Sequence, residues 1–275
     1  HHLLDRPFLE EYIHFLTAQM IKKGHDIVFE QPRHVLTMDL DFAFQWYARP
    51  ISIVLASIIK SPSRYPGWKT LRSIRKGQKH DPYDIMEEIH QWAEAQEVDL
   101  RIFLPVGRRG SMDRHVDPFN KAFTAWLKPW SEIVDFGLHP TYALGSWDSP
   151  RRWEVMAAEI KHFESLVDQP CHHVRMHYLR CRPHEDYPKF LSLGIQNDWS
   201  MGYGSCPGFR SGISRPYRFF EEDKPFNKLL RIHPLPLMDS TFVYHKTSNG
   251  LEDWKQKVGA YLGHAENLGY PLVFN

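Results

Sequence analysis

Val35-Leu36-Thr37-Met38-Asp39-Leu40-Asp41 is an apolar run that breaks into two carboxylates one residue apart. The run reads as a β-strand over 34–37. In extended chain, side chains at i and i+2 leave the same face, so Asp39 and Asp41 point together. Two like charges that close are unfavourable unless a cation or a shared proton offsets them. The residues alone leave two readings open, a metal or acid–base centre and a polar strand end whose aspartates cap the next segment.

Working outward, apolar runs of strand length alternate with helical patterns. Residues 8–23 carry apolar positions near the 3.6 period and predict a helix that packs on the outside of the remaining chain. The run 51–59 is a buried helix or strand that periodicity does not separate. Asp81-Pro82 predicts a helix through Gln96 with Asp81 as its N-cap. Strands are predicted over 100–106, 133–138, 173–178, 199–203, 208–214, 229–237 and 271–274. Helices are predicted over 118–130, 183–193 and 251–268, and another is capped by Ser149-Pro150 and runs to about Val167. Strands alternating with helices imply parallel βαβ units, and about seven of them over this length imply a distorted (β/α) barrel, with a doubly wound open sheet as the competing layout. No GxGxxG follows the first strand, which lowers a dinucleotide-binding reading. The division expected is an N-terminal helical extension over 1–32 and one α/β barrel domain over 33–275.

Composition narrows the partners. The 275 residues hold 34 Lys+Arg against 33 Asp+Glu, which leaves no electrostatic footprint for nucleic acid. The apolar runs are too short to span a bilayer, and no signal-peptide pattern opens the chain. Three cysteines, Cys171, Cys181 and Cys206, without CxxC spacing, argue against a disulfide framework and fit a reducing compartment. Seventeen histidines and 14% aromatic residues suit sugar recognition, and equally a large core. Nothing here sets the oligomeric state.

If the strands are parallel, their C-terminal ends share one rim, where barrel active sites lie. Polar residues emerge there from several apolar runs: Asp39 and Asp41, then His139, then Arg175 and His177, then Arg231 and His233. An isolated histidine of this kind is more often a core residue bonded to a carbonyl than a ligand. The coincidence over four strands is what singles them out.

The order Asp-x-Asp (39–41), Gly-Leu-His-Pro-Thr-Tyr (137–142), Arg-x-His-Tyr-Leu-Arg (175–180), Gly-Phe-Arg-Ser-Gly (208–212) and Arg-Ile-His-Pro (231–234) resembles the polysaccharide deacetylase family, carbohydrate esterase family four. Within it, the closer resemblance is to a bacterial branch of deacetylase-like proteins, from about Arg33 to the end. The resemblance implies a distorted barrel, a divalent metal with zinc first among the choices, and an acetylated saccharide as substrate; with the reducing compartment that the cysteines fit, a bacterial cytoplasmic location is expected. By it, Asp39 would be the general base and Asp41 a metal ligand. His139 would match the first histidine of the family's His-x-x-x-His ligand motif, but the position four on is Ala143. His177 has the strand face to supply the missing ligand, ahead of His115 and His80. Arg175 would hold Asp39, and His233 would protonate the leaving group. Tyr142, Trp199 and Tyr203 would shape the sugar pocket, and Arg210 would bind an anionic substituent or form a salt bridge. The alternatives are an inactive carbohydrate-binding domain that kept the fold, favoured by Ala143, another barrel hydrolase of the amidohydrolase type, and a metal-free glycosidase. The amidohydrolase type usually opens with His-x-His, and the glycosidase would need a second carboxylate across the site.

Overall fold

A computed structural model describes residues 4–27, 33–110, 112–145, 151–220, 225–243 and 250–275. In chain order the elements are α1 (Phe8–Lys22), β1 (Val35–Asp39), α2 (Ile51–Lys60), α3 (Trp68–Arg75), α4 (Met86–Ala95), β2 (Asp99–Leu104), α5 (Lys121–Trp130), β3 (Asp135–Leu138), α6 (Arg152–Val167), β4 (His173–Val174), α7 (Pro183–Ser192), β5 (Asn197–Gly202), β6 (Tyr217–Arg218), β7 (Arg231–Leu235), α8 (Asp239–Val243), α9 (Leu251–Leu268) and β8 (Val273–Phe274).

The sheet order is β6-β7-β5-β4-β3-β2-β1-β8. Every pairing is parallel except β6 against the start of β7. A parallel bridge between Leu237 and Phe274 joins the continuation of β7 to β8, so seven parallel strands close into a ring. Closure happens only beyond the end of β7, because β6 holds the edge of β7 at Arg231 and Ile232. That is the distortion, and it leaves the C-terminal rim the better-tied end.

Alternation along the strands separates two cores. Outward-facing residues such as Ile102, Leu104, Phe136, Leu138, Val174 and Ile232 pack under the helices with Phe163 and Phe190. Inward-facing Phe103, Trp199, Leu235 and Val273 fill the lumen. Gly137 also faces inward, and a Cβ there would stand 2.5 Å from Phe103 Cε1 and 3.0 Å from His173 Cβ. Only glycine leaves the lumen wide enough for those two side chains.

Three expectations are corrected. Asp81 does not cap α4, which starts at Met86; its carboxylate instead accepts from the backbone N–H of Gln45, Trp46, Tyr47 and Tyr83 at 2.7–3.0 Å. A long-range turn after β1 took the carboxylate that the local Asp-Pro pattern assigned to a helix. Residues 208–214 form a loop instead of a strand, with Gly208 and Gly212 at positive φ. The run 173–178 is extended only at His173–Val174 before it turns. Ser149-Pro150 lies outside the described residues. Helix α1 docks on that loop through Leu9 N–H to Gly212 O (2.9 Å) and through an ion pair between Glu10 and Arg215. No helix among the described residues is long and apolar enough to cross a membrane.

Candidate active site

Parallel strands deliver their last residues to one rim. Asp39 ends β1 and Asp41 lies in the turn after it; His139 follows β3, Arg175 follows β4, and His177 opens the 3₁₀ turn after that. Backbone pairing continues past the strands, with His139 N–H bonded to Leu104 O and Arg175 N–H to Leu138 O, both at 3.0 Å. These side chains therefore sit on rigid backbone.

Asp41, His139 and His177 bring one ligand-type atom each within 4.8 Å of one another. His139 Nδ1 lies 2.6 Å from Arg175 O, and His177 Nδ1 lies 2.7 Å from Pro140 O. A carbonyl only accepts, so each Nδ1 carries a proton, and in the neutral ring Nε2 then holds the lone pair. Those Nε2 atoms lie 3.9 and 3.7 Å from Asp41 Oδ1, and the rings stack with centroids 3.9 Å apart. Burial pushes His139 down to about 3, so it is a neutral donor at any physiological pH. Burial, with Asp39, Asp113 and Asp239 nearby, pushes Asp41 up to about 6 against the pull of His177. A carboxylate raised by burial among other carboxylates, facing two imidazole lone pairs, is the donor set a divalent cation satisfies. Two imidazoles and a carboxylate suit zinc, while other first-row ions accept the same set. The half-buried Asp41 leaves one side open. Tyr178 and Leu179, directly after His177, both take φ 54°, a conformation that non-glycine residues rarely adopt, so the chain turns sharply just beyond the ligand-type histidine.

Asp39 is held by Arg175. The guanidinium is wholly buried and donates to Asp39 Oδ1 (2.9 Å), Thr37 Oγ1 (2.8 Å), Trp199 O (3.3 Å) and Asn275 Oδ1 (3.3 Å), lying 4.3 Å over the Phe103 ring. Burial pushes the Asp39 carboxyl up, but Arg175 and His139 outweigh it and hold it below the usual range. Asp39 is thus an ionised carboxylate beside the histidine cluster.

Other expected residues fall elsewhere. His233 is buried in the lumen, stacked on Trp199 with centroids 3.7 Å apart, its Nε2 3.0 Å from Asn197 Oδ1 at the start of β5. Burial, with Arg231, Arg101, His173 and Arg218 around it, drives its pKa well down, and no rim residue is among those neighbours. Trp199 is buried between His233, Phe103 and the Arg101 guanidinium (4.9 Å), with Nε1 donating to His173 Nδ1. The structure brings neither to the rim, because both emerge inward at the lower half of the barrel. Tyr142 stands at the rim edge-on to the exposed Tyr178, under Arg180 (5.1 Å). Tyr203 is half-buried just beyond β5, and Arg210 donates to Gly202 O (3.2 Å) at the end of that strand. His115 is tied to Gly107 O (3.1 Å) and His80 faces Asp84 (3.7 Å), so neither joins the cluster.

One carboxylate of the site, Asp113, ends no apolar run and escaped the sequence reading. Asp113, from the loop between β2 and α5, accepts from Tyr142 N–H (2.8 Å) and lies 3.8 Å from His177 Nδ1. Asp239, opening α8, donates its N–H to Asn275 O (3.0 Å), and Asn275 Oδ1 meets the guanidinium that holds Asp39. Burial raises the Asp239 carboxyl, and Asp39 adds to the rise.

The fold and site together define a closed (β/α) barrel with a His₂Asp cluster and an Arg-clamped aspartate on its C-terminal rim. No family model and no curated protein matches the sequence. Among solved structures, the Puue allantoinase matches with a TM-score of 0.50 at 14% identity, covering 89% of this chain and 76% of that one. A Mycobacterium smegmatis protein classed as a polysaccharide deacetylase gives 0.48 at 13%, covering 91% and 79%. IcaB from Ammonifex degensii gives 0.32 at 13%, covering 63% and 86%. At these identities the likeness is one of fold.

Proposed function

We propose that this protein is a metal-dependent hydrolase that removes acetyl groups from an N- or O-acetylated saccharide. The observation that carries the reading is the pair of Nδ1–carbonyl bonds that turn His139 and His177 Nε2 toward Asp41, beside an Asp39 clamped by Arg175. His177 would take the place left by Ala143 in the motif, which supports the hydrolase reading over an inactive binding domain. Asp41, His139 and His177 would hold the cation, zinc first. A cation held there would supply Lewis-acid polarisation and lower the pKa of a hydrolytic water. Asp39, ionised and oriented by Arg175, accepts the proton of the attacking water. Pro140 O orients His177 from behind through its bond with Nδ1, as outer partners of ligating histidines do, and Asp113 lies 3.8 Å from the same nitrogen. With His233 in the lumen, Asp239 is the rim group placed to return a proton to the leaving atom. Tyr142 and Tyr178 offer ring faces to a sugar.

Acetate release from acetylated oligosaccharides, measured with and without chelator, tests the reading. Asp39→Asn keeps the shape and removes the base, and is expected to lower the rate by about 10²- to 10⁴-fold. Activity that survives chelation, or an Asp39→Asn protein as fast as the parent, rules the mechanism out. Chelator-resistant cleavage of glycosidic bonds would instead move the assignment to a glycosidase using Asp39 with Asp113 or Asp239.

A further inference from the structure

Helix α1 docks on the barrel by its polar side. Its buried residues are Glu10, paired with Arg215, and Thr17, whose hydroxyl donates to Ile13 O. Leu9, Tyr12, Ile13, Phe15, Leu16 and Met20 are all exposed, from 37% for Ile13 to 58% for Tyr12. At about 100° per residue, all of these but Phe15 fall in a stripe roughly 100° wide that flanks the Glu10 and Thr17 side, with Ile13 bordering Thr17. A surface helix normally turns such a stripe to the core. Leu9, Ile13, Leu16 and Met20 are spaced four, three and four apart, the seam of a helix that packs on another helix.

We propose that this stripe is a self-association surface, with α1 packed antiparallel against α1 of a second copy about a two-fold axis. The stripe exposes on the order of 500 Å² per copy, so two copies would bury about 1,000 Å² from these side chains alone, the level at which specific interfaces begin. A two-fold axis needs a self-complementary patch, and a heptad-spaced seam meets its own copy in register. A membrane surface fits less well. Lys22 and Lys23 are the only Lys or Arg residues over 8–23, whereas interfacial helices line their polar face with such cations.

Sedimentation velocity and light scattering over a micromolar concentration series test this directly. The parent is expected to approach twice the 32.5 kDa chain mass. Leu16→Asp and Ile13→Asp are expected to remain monomeric with unchanged circular dichroism, since both side chains face outward in the single chain. Ile59→Asp, at a 79%-exposed site on α2, should associate like the parent. A parent that stays monomeric at high micromolar concentration, or a folded Leu16→Asp protein that still dimerises, overturns the proposal. So does a monomeric parent that binds anionic vesicles through the stripe.

Discussion

Replacing Arg175 by Met removes a wholly buried guanidinium and leaves the Asp39 carboxylate with its desolvation and without its counter-charge. Removing one partner of a buried ion pair costs about 3–5 kcal/mol, a large share of the roughly 5–15 kcal/mol that holds a typical domain together. Arg175 also donates to Thr37, Trp199 O and Asn275, so the upper end of that range is expected at pH 7. The sign with pH comes from Asp39. In the parent its folded pKa is lowered, so its contribution is present above the unfolded value and is lost as pH falls through the folded one. In the variant burial acts unopposed by Arg175 and the folded pKa rises. The deficit should therefore be largest at neutral pH and shrink toward pH 4, where the unfolded carboxyl protonates as well. Urea titrations at both pH values read this, and the acid limb of kcat/KM should move up per folded molecule. Asp39→Asn in the Arg175→Met background should recover part of the loss, because the uncompensated charge is gone. A deficit under about 1 kcal/mol, one that does not change with pH, or strictly additive single and double variants would refute the ion-pair account.

Metal binding is expected to weaken as pH falls through about 6, where Asp41 takes up its proton, with no contribution from His139, which is already neutral; calorimetric titration with zinc at pH 5 and 7.5 checks it, with Asp41→Ala shrinking the difference. Asp81→Ala strips four backbone N–H groups of their acceptor and should lower stability by about 2–4 kcal/mol in urea, where a loss under about 0.5 kcal/mol would mean water replaces the carboxylate freely. Gly137→Ala should cost about 1–3 kcal/mol, because Phe103 and His173 must both move within the lumen; an unchanged melting curve would mean they yield easily.

The barrel was legible because its signal is local. Apolar runs of strand length, set between helical periods, decide the secondary structure, and parallel geometry then places every run end on one rim. That logic brought Asp39, Asp41, His139, Arg175 and His177 together from three separate stretches, and the Arg175–Asp39 contact was what the family resemblance implied. It could not find Asp113, which reaches the rim from a loop, where no periodicity carries information.

The sequence by itself determined which residues alternate in and out of each strand, since side-chain period is a property of the backbone. Height within the barrel is another matter. His233 and His177 each stand two residues beyond an arginine in an apolar run, yet one stacks on Trp199 low in the lumen and the other reaches the rim. That difference comes from strand register and from how far each strand runs before it turns. β4 breaks after Val174, so His177 rises to the rim, whereas β7 runs through Leu235 and on to its bridge at Leu237. Tertiary structure also decided the direction of α1. Its period forecast an amphipathic helix, but the Glu10–Arg215 ion pair fixed the polar side against the barrel and turned the apolar stripe outward.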